Sequence, residues 1–139
     1  MQNFKPWNNH IFSPSEINIL TDTNIFFSNN INHLNTFINI ISGESNISCR
    51  LLYWFVTKFY LIDNNFSHIH DSYQNHIKQH SSIFFNPFCC KHKLIYYTNV
   101  GPHINTSIGQ LHFFKWALLN NVISDLQNNF HNIKNNYYQ

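Results

Sequence analysis

The stretch "TSIGQLHFFKWALLNNVI", residues 106–123, constrains the fold of this chain more than any other. Its large apolar side chains fall at helical spacing and nearly encircle the helix: Ile108, Leu111, Phe113, Phe114 and Leu118. A helix that is apolar on nearly all sides is usually buried, because leaving each large side chain in water forfeits about 1.5–3 kcal/mol. We therefore predict the central helix here, with its apolar side chains in the core, Lys115 reaching outward and Trp116 half buried.

Composition indicates a single folded domain with few charges. The chain has 139 residues, of which 43% are hydrophobic and 17% aromatic, enough for one core. Only 10% are charged, against about a quarter in an average soluble protein, so asparagine, with 24 residues, supplies much of the polar surface. The net charge of +2 is too weak for tight binding of a phosphate backbone, and it allows copies of the chain to associate.

The periodicity predicts a mainly α fold of the α+β class, a compact helical domain of about five helices with one small β-hairpin. "SPSE" at 13–16 predicts a helix start, with Ser13 as the cap and Glu16 at the positive end of the helix. We expect this helix to end near Leu20 and a second to begin at "TDTN". Apolar spacing predicts further helices over these ranges: 44–62, 69–80, 108–119 and 122–134.

The hairpin is predicted near 93–107. "KLIYYT" is rich in β-branched and aromatic residues, "NVGPH" has turn chemistry, and "INTS" is the returning strand. The whole chain then divides into an irregular N-terminal arm (1–12), one globular helical domain (13–134) and a frayed tail (135–139).

Cysteine usage and hydropathy predict a soluble protein of a reducing compartment. The three cysteines, Cys49, Cys89 and Cys90, are odd in number and do not form a disulfide framework. The longest apolar run, residues 51–62, contains Lys58 and is too short to span a bilayer, so no membrane partner is expected.

One candidate site is a zinc site formed by His76, His80, Cys89 and His92. The first two are four residues apart and would share a helix face, and zinc takes four nitrogen or sulfur ligands in a tetrahedron. The alternative is ordinary surface histidines and packed thiols. No acid completes a catalytic arrangement around the cysteines, so we predict no catalytic residue, no enzyme activity and no cofactor apart from zinc in this alternative.

A second candidate is a partner- or nucleic-acid-binding surface at Lys91, His92, Lys93, Tyr96 and Tyr97. A hairpin beside two helices is similar in outline to a winged helix, in which lysines meet phosphates and tyrosines stack on bases. The alternative is that the tyrosines pack the hairpin onto the helices.

Three stretches together resemble a known family: "SCRLLYWFVTKFY" (48–60), "FFNPFCCKHKLIYY" (84–97) and "TSIGQLHFFKWALLNNVI" (106–123). They are similar to an uncharacterised protein family of the nucleocytoplasmic large DNA viruses, the giant viruses. The resemblance covers about residues 48–130, in the same order and with similar spacing.

This chain departs from the pattern of that family around its "PFC" turn. Asn86 stands where relatives tend to have aspartate, Cys90 stands where they continue with arginine, and several basic positions between 70 and 82 are His, Gln or Ser. A phosphate-binding role inherited from the family is therefore not expected of this chain.

The resemblance and the composition together predict a non-enzymatic viral accessory or assembly protein that acts through protein contacts, with another protein or a second copy of itself. The alternatives are a nucleic-acid-binding factor of the virus factory and a small zinc-binding protein. We expect it in the host cytoplasm or virus factory, or in the virion.

Overall fold

The structure is a computed structural model that describes residues 3–88, 91–98, 101 and 103–139. Its strands are β1 (Phe4–Pro6), β2 (Lys93–Tyr96) and β3 (Ile104–Ser107). Its α-helices are α1 (Pro14–Asn29), α2 (Ile31–Ile41), α3 (Cys49–Thr57), α4 (Ser67–His80), α5 (Ile108–Leu119), α6 (Val122–Asn128) and α7 (Phe130–Tyr137). Single 3₁₀ turns cover Phe59–Leu61 and Asn64–Phe66. The predicted fold class, mainly α with a small β part, is confirmed.

α5 is the central helix, as its sequence predicts. Leu111, Phe114 and Leu118 are buried, and α1 packs along it. Trp116 is more deeply buried than expected, because its indole N–H donates to the hydroxyl of Ser72 on α4 at 3.1 Å and so needs no contact with water.

Gly109 lets the first turn of α5 lie directly against the backbone of residues 83–86. A Cβ at position 109 would stand 2.5 Å from the carbonyl oxygen of Asn86 and 3.0 Å from that of Ile83. This glycine, in the stretch "TSIGQLHFFKWALLNNVI", therefore allows close packing of the helix.

The predicted hairpin is present, and it belongs to a three-stranded antiparallel sheet in the order β1-β2-β3. β1 comes from the N-terminal arm, which was predicted to be irregular. Phe4 pairs with Tyr96, and their rings stack at 4.6 Å between centroids. The prediction was wrong here because the burial of Phe4 fixes a strand of three residues, too short to show alternation.

Helix boundaries differ from the prediction at four places. The helix predicted over 44–62 is α3 alone, because the hydroxyl of Ser48 caps its start and the chain leaves the α-helix at Lys58 for a 3₁₀ turn. α1 runs without interruption to Asn29, because the hydroxyl of Thr23 donates to the carbonyl of Ile19 at 2.8 Å and is satisfied inside the helix. The last predicted helix is divided into α6 and α7 at Asn129. The tail, expected to fray from residue 135, is helical to Tyr137, whose ring contacts Trp54 at 5.4 Å.

Three helices end at an asparagine whose side chain caps them. The amides of Asn30, Asn120 and Asn129 donate to the carbonyl oxygen four residues earlier at 2.7, 2.8 and 2.9 Å. Within the part of the chain that the structure describes, no helix has the length and apolar character needed to cross a bilayer.

Candidate metal centre

The site is built around Glu16, a buried carboxylate in the first turn of α1. Its backbone N–H donates to the hydroxyl of Ser13 at 3.2 Å, and the N–H of Ser13 donates to Oε1 of Glu16 at 2.8 Å. This reciprocal capping box explains why a glutamate is held at the helix start. Only 2% of Glu16 is exposed, so its charge requires a partner within the fold.

Two histidines from distant parts of the sequence meet this carboxylate. Nε2 of His10 lies 3.1 Å from both carboxylate oxygens, and Nδ1 of His92 lies 3.0 Å from Oε2. The same two nitrogens are 3.3 Å from each other. His10 follows β1 and His92 precedes β2, so the site joins the arm, the sheet and α1.

The three donor atoms form a triangle with the dimensions of a metal site. Ligands 2.0–2.1 Å from zinc in a regular tetrahedron lie about 3.3–3.4 Å apart, close to the spacing between the histidine nitrogens. Across residues 3–88, 91–98, 101 and 103–139, this is the one group of three or more His, Cys, Asp or Glu side chains with ligand atoms within 4.8 Å of one another. Two histidines and a carboxylate suit zinc, and they also suit non-haem iron(II).

Glu16 is held in its charged form. Burial alone would raise the pKa of this carboxyl, but the hydrogen bonds from the Ser13 backbone and from His10 outweigh burial and lower its pKa below the usual value. An ionised carboxylate is the form that binds a metal ion or a protonated histidine.

The backbone at the site is held in an uncommon conformation. His92 has φ 58° and Asn8 has φ 57°, both in the left-handed region that non-glycine residues enter at a cost. Asn8 accepts a hydrogen bond from the N–H of His10 at 2.9 Å, and the N–H of Trp7 donates to the carbonyl of Lys93 at 2.9 Å. The bond from Trp7 to Lys93 holds the arm against β2, next to His92.

A cavity of about 380 Å³ lies over the two histidines. Its lining is Trp7, Asn8, His10, Lys91, His92 and Lys93. The ammonium group of Lys93 sits 5.2 Å from the centre of the Trp7 ring, a cation–π contact. Glu16 lies beneath the histidines and does not line the cavity.

The structure divides the predicted zinc set between two places. His92 lies with His10 and Glu16. His76 and His80 on α4 instead lie nearly parallel to each other, 5.9 Å apart, and to the ring of Phe85, at 5.1 and 6.4 Å between centroids. The ring of His80 also meets that of His112, 4.7 Å away. Cys89 lies outside the described residues. The four residues therefore do not form one ligand group among the described atoms.

Two histidines of the second cluster, His76 and His112, favour the neutral form. Burial lowers the pKa of His76, and burial lowers that of His112 to about 4 in spite of its hydrogen bond to the carbonyl of Phe84 at 2.8 Å. The positive charges of His80 and Lys115 also lower the pKa of His112. This cluster packs as an aromatic group.

The predicted partner surface is also divided. Lys91, Lys93 and Tyr97 are exposed, and His92 belongs to the metal centre. Tyr96 is in the core, and its hydroxyl donates to Oδ1 of Asn24 at 2.9 Å. Its ring packs the sheet onto the helices and is out of reach of a base.

Sequence reasoning found His92 but missed His10 and Glu16. The signal for Glu16 was present, because "SPSE" identifies the capping box that holds it. The cap alone accounted for the glutamate, however, and His10 stands in a segment without regular structure. Since His92 is more than seventy positions from Glu16, no spacing motif connects the three residues.

The whole chain, residues 1–139, matches a family model described as a family of unknown function, DUF7197. The chain belongs to this family. The match extends well beyond residues 48–130, and it includes both His10 and Glu16. The DUF7197 chain is 38% identical over 137 residues to an uncharacterised protein, L507, of Acanthamoeba polyphaga mimivirus.

The aligned region covers 87% of this DUF7197 chain and 53% of the mimivirus protein, so the chain spans about half the length of that relative. Family membership and this relative confirm the predicted resemblance to an uncharacterised family of giant viruses. No solved structure matches the chain. The stretches that carry the resemblance build α3, β2 and α5. Only the "PFCCKHK" turn among them reaches the metal centre, through His92.

Proposed function

We propose that this domain is a non-enzymatic binding protein for a divalent ion of the zinc class. The ion is bound by Nε2 of His10, a carboxylate oxygen of Glu16 and Nδ1 of His92. The observation that carries the proposal is the triangle of these three donor atoms, with edges of 3.0 to 3.3 Å.

Hydrogen bonding alone is a poor account of this triangle. A ring nitrogen carries either one hydrogen or one lone pair. One hydrogen on Nε2 of His10 can be shared between the two carboxylate oxygens, but when both ring nitrogens donate to Glu16 their 3.3 Å approach to each other is repulsive. A cation at the centre accepts a lone pair from each donor and removes the repulsion between the two nitrogens.

The position of the site gives the ion a structural role. It joins the arm that carries β1, the N-terminus of α1 and the residue before β2, three segments that are far apart in the sequence. Metal binding therefore contributes to the stability of the folded domain, because the unfolded chain does not bring these ligands together.

The test is metal content and affinity of the purified chain. Wild-type protein is expected to bind about one equivalent of zinc, and His10→Ala, Glu16→Gln and His92→Ala should each lower the affinity more than about 100-fold. His131→Ala, which removes an exposed histidine on α7, is the matched control and should bind like wild type. A wild-type chain that binds no zinc, or ligand variants that bind as it does, would overturn the proposal.

A second candidate function is contact with a second copy of the chain. Leu61 and Ile62 follow α3 as neighbouring residues with 69% and 53% of their surfaces exposed, and the low charge of the chain gives little repulsion between copies. We expect light scattering after size exclusion to show a dimer that Leu61→Asn with Ile62→Asn converts to a monomer. A wild-type chain that stays monomeric at high concentration would contradict this.

We propose the host cytoplasm or virus factory, or the virion, as the place where the domain acts. Cys49 supports a reducing compartment: it is a free thiol, and burial raises its pKa to about 11, which keeps it unreactive. Imaging of the tagged protein in infected cells, with mass spectrometry of purified particles, tests this assignment.

A further inference from the structure

We infer that the ion at His10, Glu16 and His92 keeps one coordination position open toward the adjacent cavity, and that this position binds the phosphate group of a small phosphate ester. The inference rests on the proposed metal site. It adds a ligand class, and it assigns a role to Lys91 and Lys93 that the metal site alone does not require.

The arrangement of burial leaves one side of the ion accessible. Glu16 lies beneath, almost fully buried, while the two histidines are partly exposed and form the floor of the cavity. Zinc with three protein ligands commonly takes its fourth ligand from solvent or from a bound molecule. In a tetrahedron the fourth position lies away from the plane of the three ligands, and the cavity lined by both histidines is the open space that adjoins the site.

The charge of the cavity selects an anion. Its lining includes two lysines and no carboxylate. The one carboxylate of the site, Glu16, binds the ion beneath the histidines. A dication with one carboxylate and two nearby ammonium groups leaves an excess of positive charge. Phosphate has several acceptor oxygens, so it can contact the ion and the lysines at once.

Trp7 and Lys93 connect this cavity to a neighbouring one. The second cavity, of about 200 Å³, shares both residues and is otherwise lined by Pro87, Phe88, Asn105, Thr106, Ser107 and Gln110. The Trp7 ring and polar side chains such as Gln110 suit the organic part of an ester whose phosphate lies over the ion.

A small ester fits better than a nucleic acid. The remaining basic residues are scattered along the chain, and the net charge is only +2, so there is no extended track for a phosphate backbone. An oligonucleotide is therefore the competing source of phosphate that the experiment must separate from a nucleotide.

The experiment uses the full chain loaded with cobalt(II), whose visible spectrum reports its coordination. Inorganic phosphate, adenosine monophosphate, adenosine, and a short oligonucleotide with and without a terminal phosphate are each titrated. We expect inorganic phosphate and the nucleotide to change the spectrum and adenosine to leave it unchanged. We expect the nucleotide to bind at least tenfold more tightly than the unphosphorylated oligonucleotide.

Two variants test the lysines. Lys91→Ala with Lys93→Ala should keep cobalt binding and lose phosphate affinity at least tenfold. Lys58→Ala with Lys134→Ala removes two exposed lysines elsewhere, one of them also placed over an aromatic ring, and should behave like wild type. Equal phosphate binding by all three proteins would overturn the assignment of the lysines and with it the inference.

The failure of the inference can be told apart from the failure of the metal site. If no cobalt binds, the proposed function fails first. If cobalt binds and no phosphate compound changes its spectrum, the inference alone is overturned. An intense thiolate-to-cobalt band that is lost in Cys89→Ser or Cys90→Ser would also overturn it, because a cysteine would then fill the position assigned to phosphate.

Discussion

Glu16 serves two purposes that can be separated by substitution. It closes the capping box with Ser13, and it supplies the negative charge of the metal centre. Glutamine can replace glutamate in a capping box but has no charge. The two substitutions Glu16→Gln and Glu16→Ala therefore probe different properties of one position.

We predict that Glu16→Gln unfolds near the wild-type temperature when both are free of metal, whereas Glu16→Ala is less stable by about 1 kcal/mol because it also loses the cap. Zinc should raise the melting temperature of wild type and of neither variant. Thermal unfolding followed by circular dichroism, with and without zinc, measures both effects. If zinc raised the melting temperature of Glu16→Gln as much as that of wild type, the carboxylate would not be a ligand.

We predict that even the addition of one methyl group at Gly109 destabilises the domain. Alanine normally favours a helix over glycine by about 1 kcal/mol. Here the added Cβ meets the Asn86 carbonyl oxygen at 2.5 Å, and overpacking against backbone costs about 1–3 kcal/mol. Gly109→Ala should therefore destabilise the domain in urea. Gly43→Asn is the control, because its left-handed φ of 83° is open to asparagine and nothing lies within 4 Å of the added Cβ.

His112 should make the domain less stable in mild acid. Its folded pKa is about 4, below the ordinary value of about 6.5, so the unfolded chain takes up a proton that the folded chain excludes. The resulting loss begins as the pH falls through about 6.5 and reaches up to about 3 kcal/mol near pH 4. Urea unfolding at pH 7 and pH 4.5 should show a smaller difference for His112→Gln than for wild type. If His112→Gln and wild type lost the same free energy of unfolding between pH 7 and pH 4.5, the prediction would be contradicted.

At the scale of elements, the sequence was informative where one segment determines its own structure. The capping box marks the start of α1. The β-branched and aromatic residues with the turn residues of 93–107 mark the hairpin, and the apolar side chains on nearly all sides of 108–119 mark α5. Each signal is local: a side chain that caps its own helix, or a periodicity that fits one kind of burial.

Some of the features that were missed depend on distant partners, and others depend on local side-chain hydrogen bonds that the sequence does not mark. β1 is a strand only because Phe4 packs on Tyr96, and α1 continues past Leu20 only because Thr23 finds a carbonyl within the helix. Asparagines at 30, 120 and 129 close helices through their side chains, yet asparagine is so frequent here that no single one stands out in the sequence. His10 and Glu16 were missed for the same reason as β1, since tertiary structure brings them to His92.

At the scale of the whole molecule, the proposed metal centre links the N-terminal arm to the domain. Without a bound ion, the arm is held by the pairing of β1 with β2 and by the burial of Phe4. In the proposed site, a bound ion adds a second attachment at His10, six residues after Phe4. The arm is therefore the region whose stability should respond most to metal.

We predict that zinc slows amide hydrogen exchange in residues 3–12 and around His92 of the wild-type chain by about tenfold or more, because local opening then requires release of the ion. Amides of α7, which is remote from the site in the sequence and shares no ligand, should exchange at the same rate with and without zinc. In Glu16→Gln, zinc should not slow exchange in the arm. Equal slowing along the whole chain would indicate general stabilisation without local attachment.

The left-handed backbone at His92 implies a conflict between binding and stability at that position. Glycine adopts φ 58° without the steric cost that a histidine Cβ brings, so replacing the residue should relax the turn at the same time as it removes a ligand. His92→Gly would then relax the turn and gain nothing from zinc, while the buried carboxylate of Glu16 keeps His10 as its remaining histidine partner. In the metal-free chain the net effect on stability is therefore the balance between relief of backbone strain and loss of one partner of a buried charge.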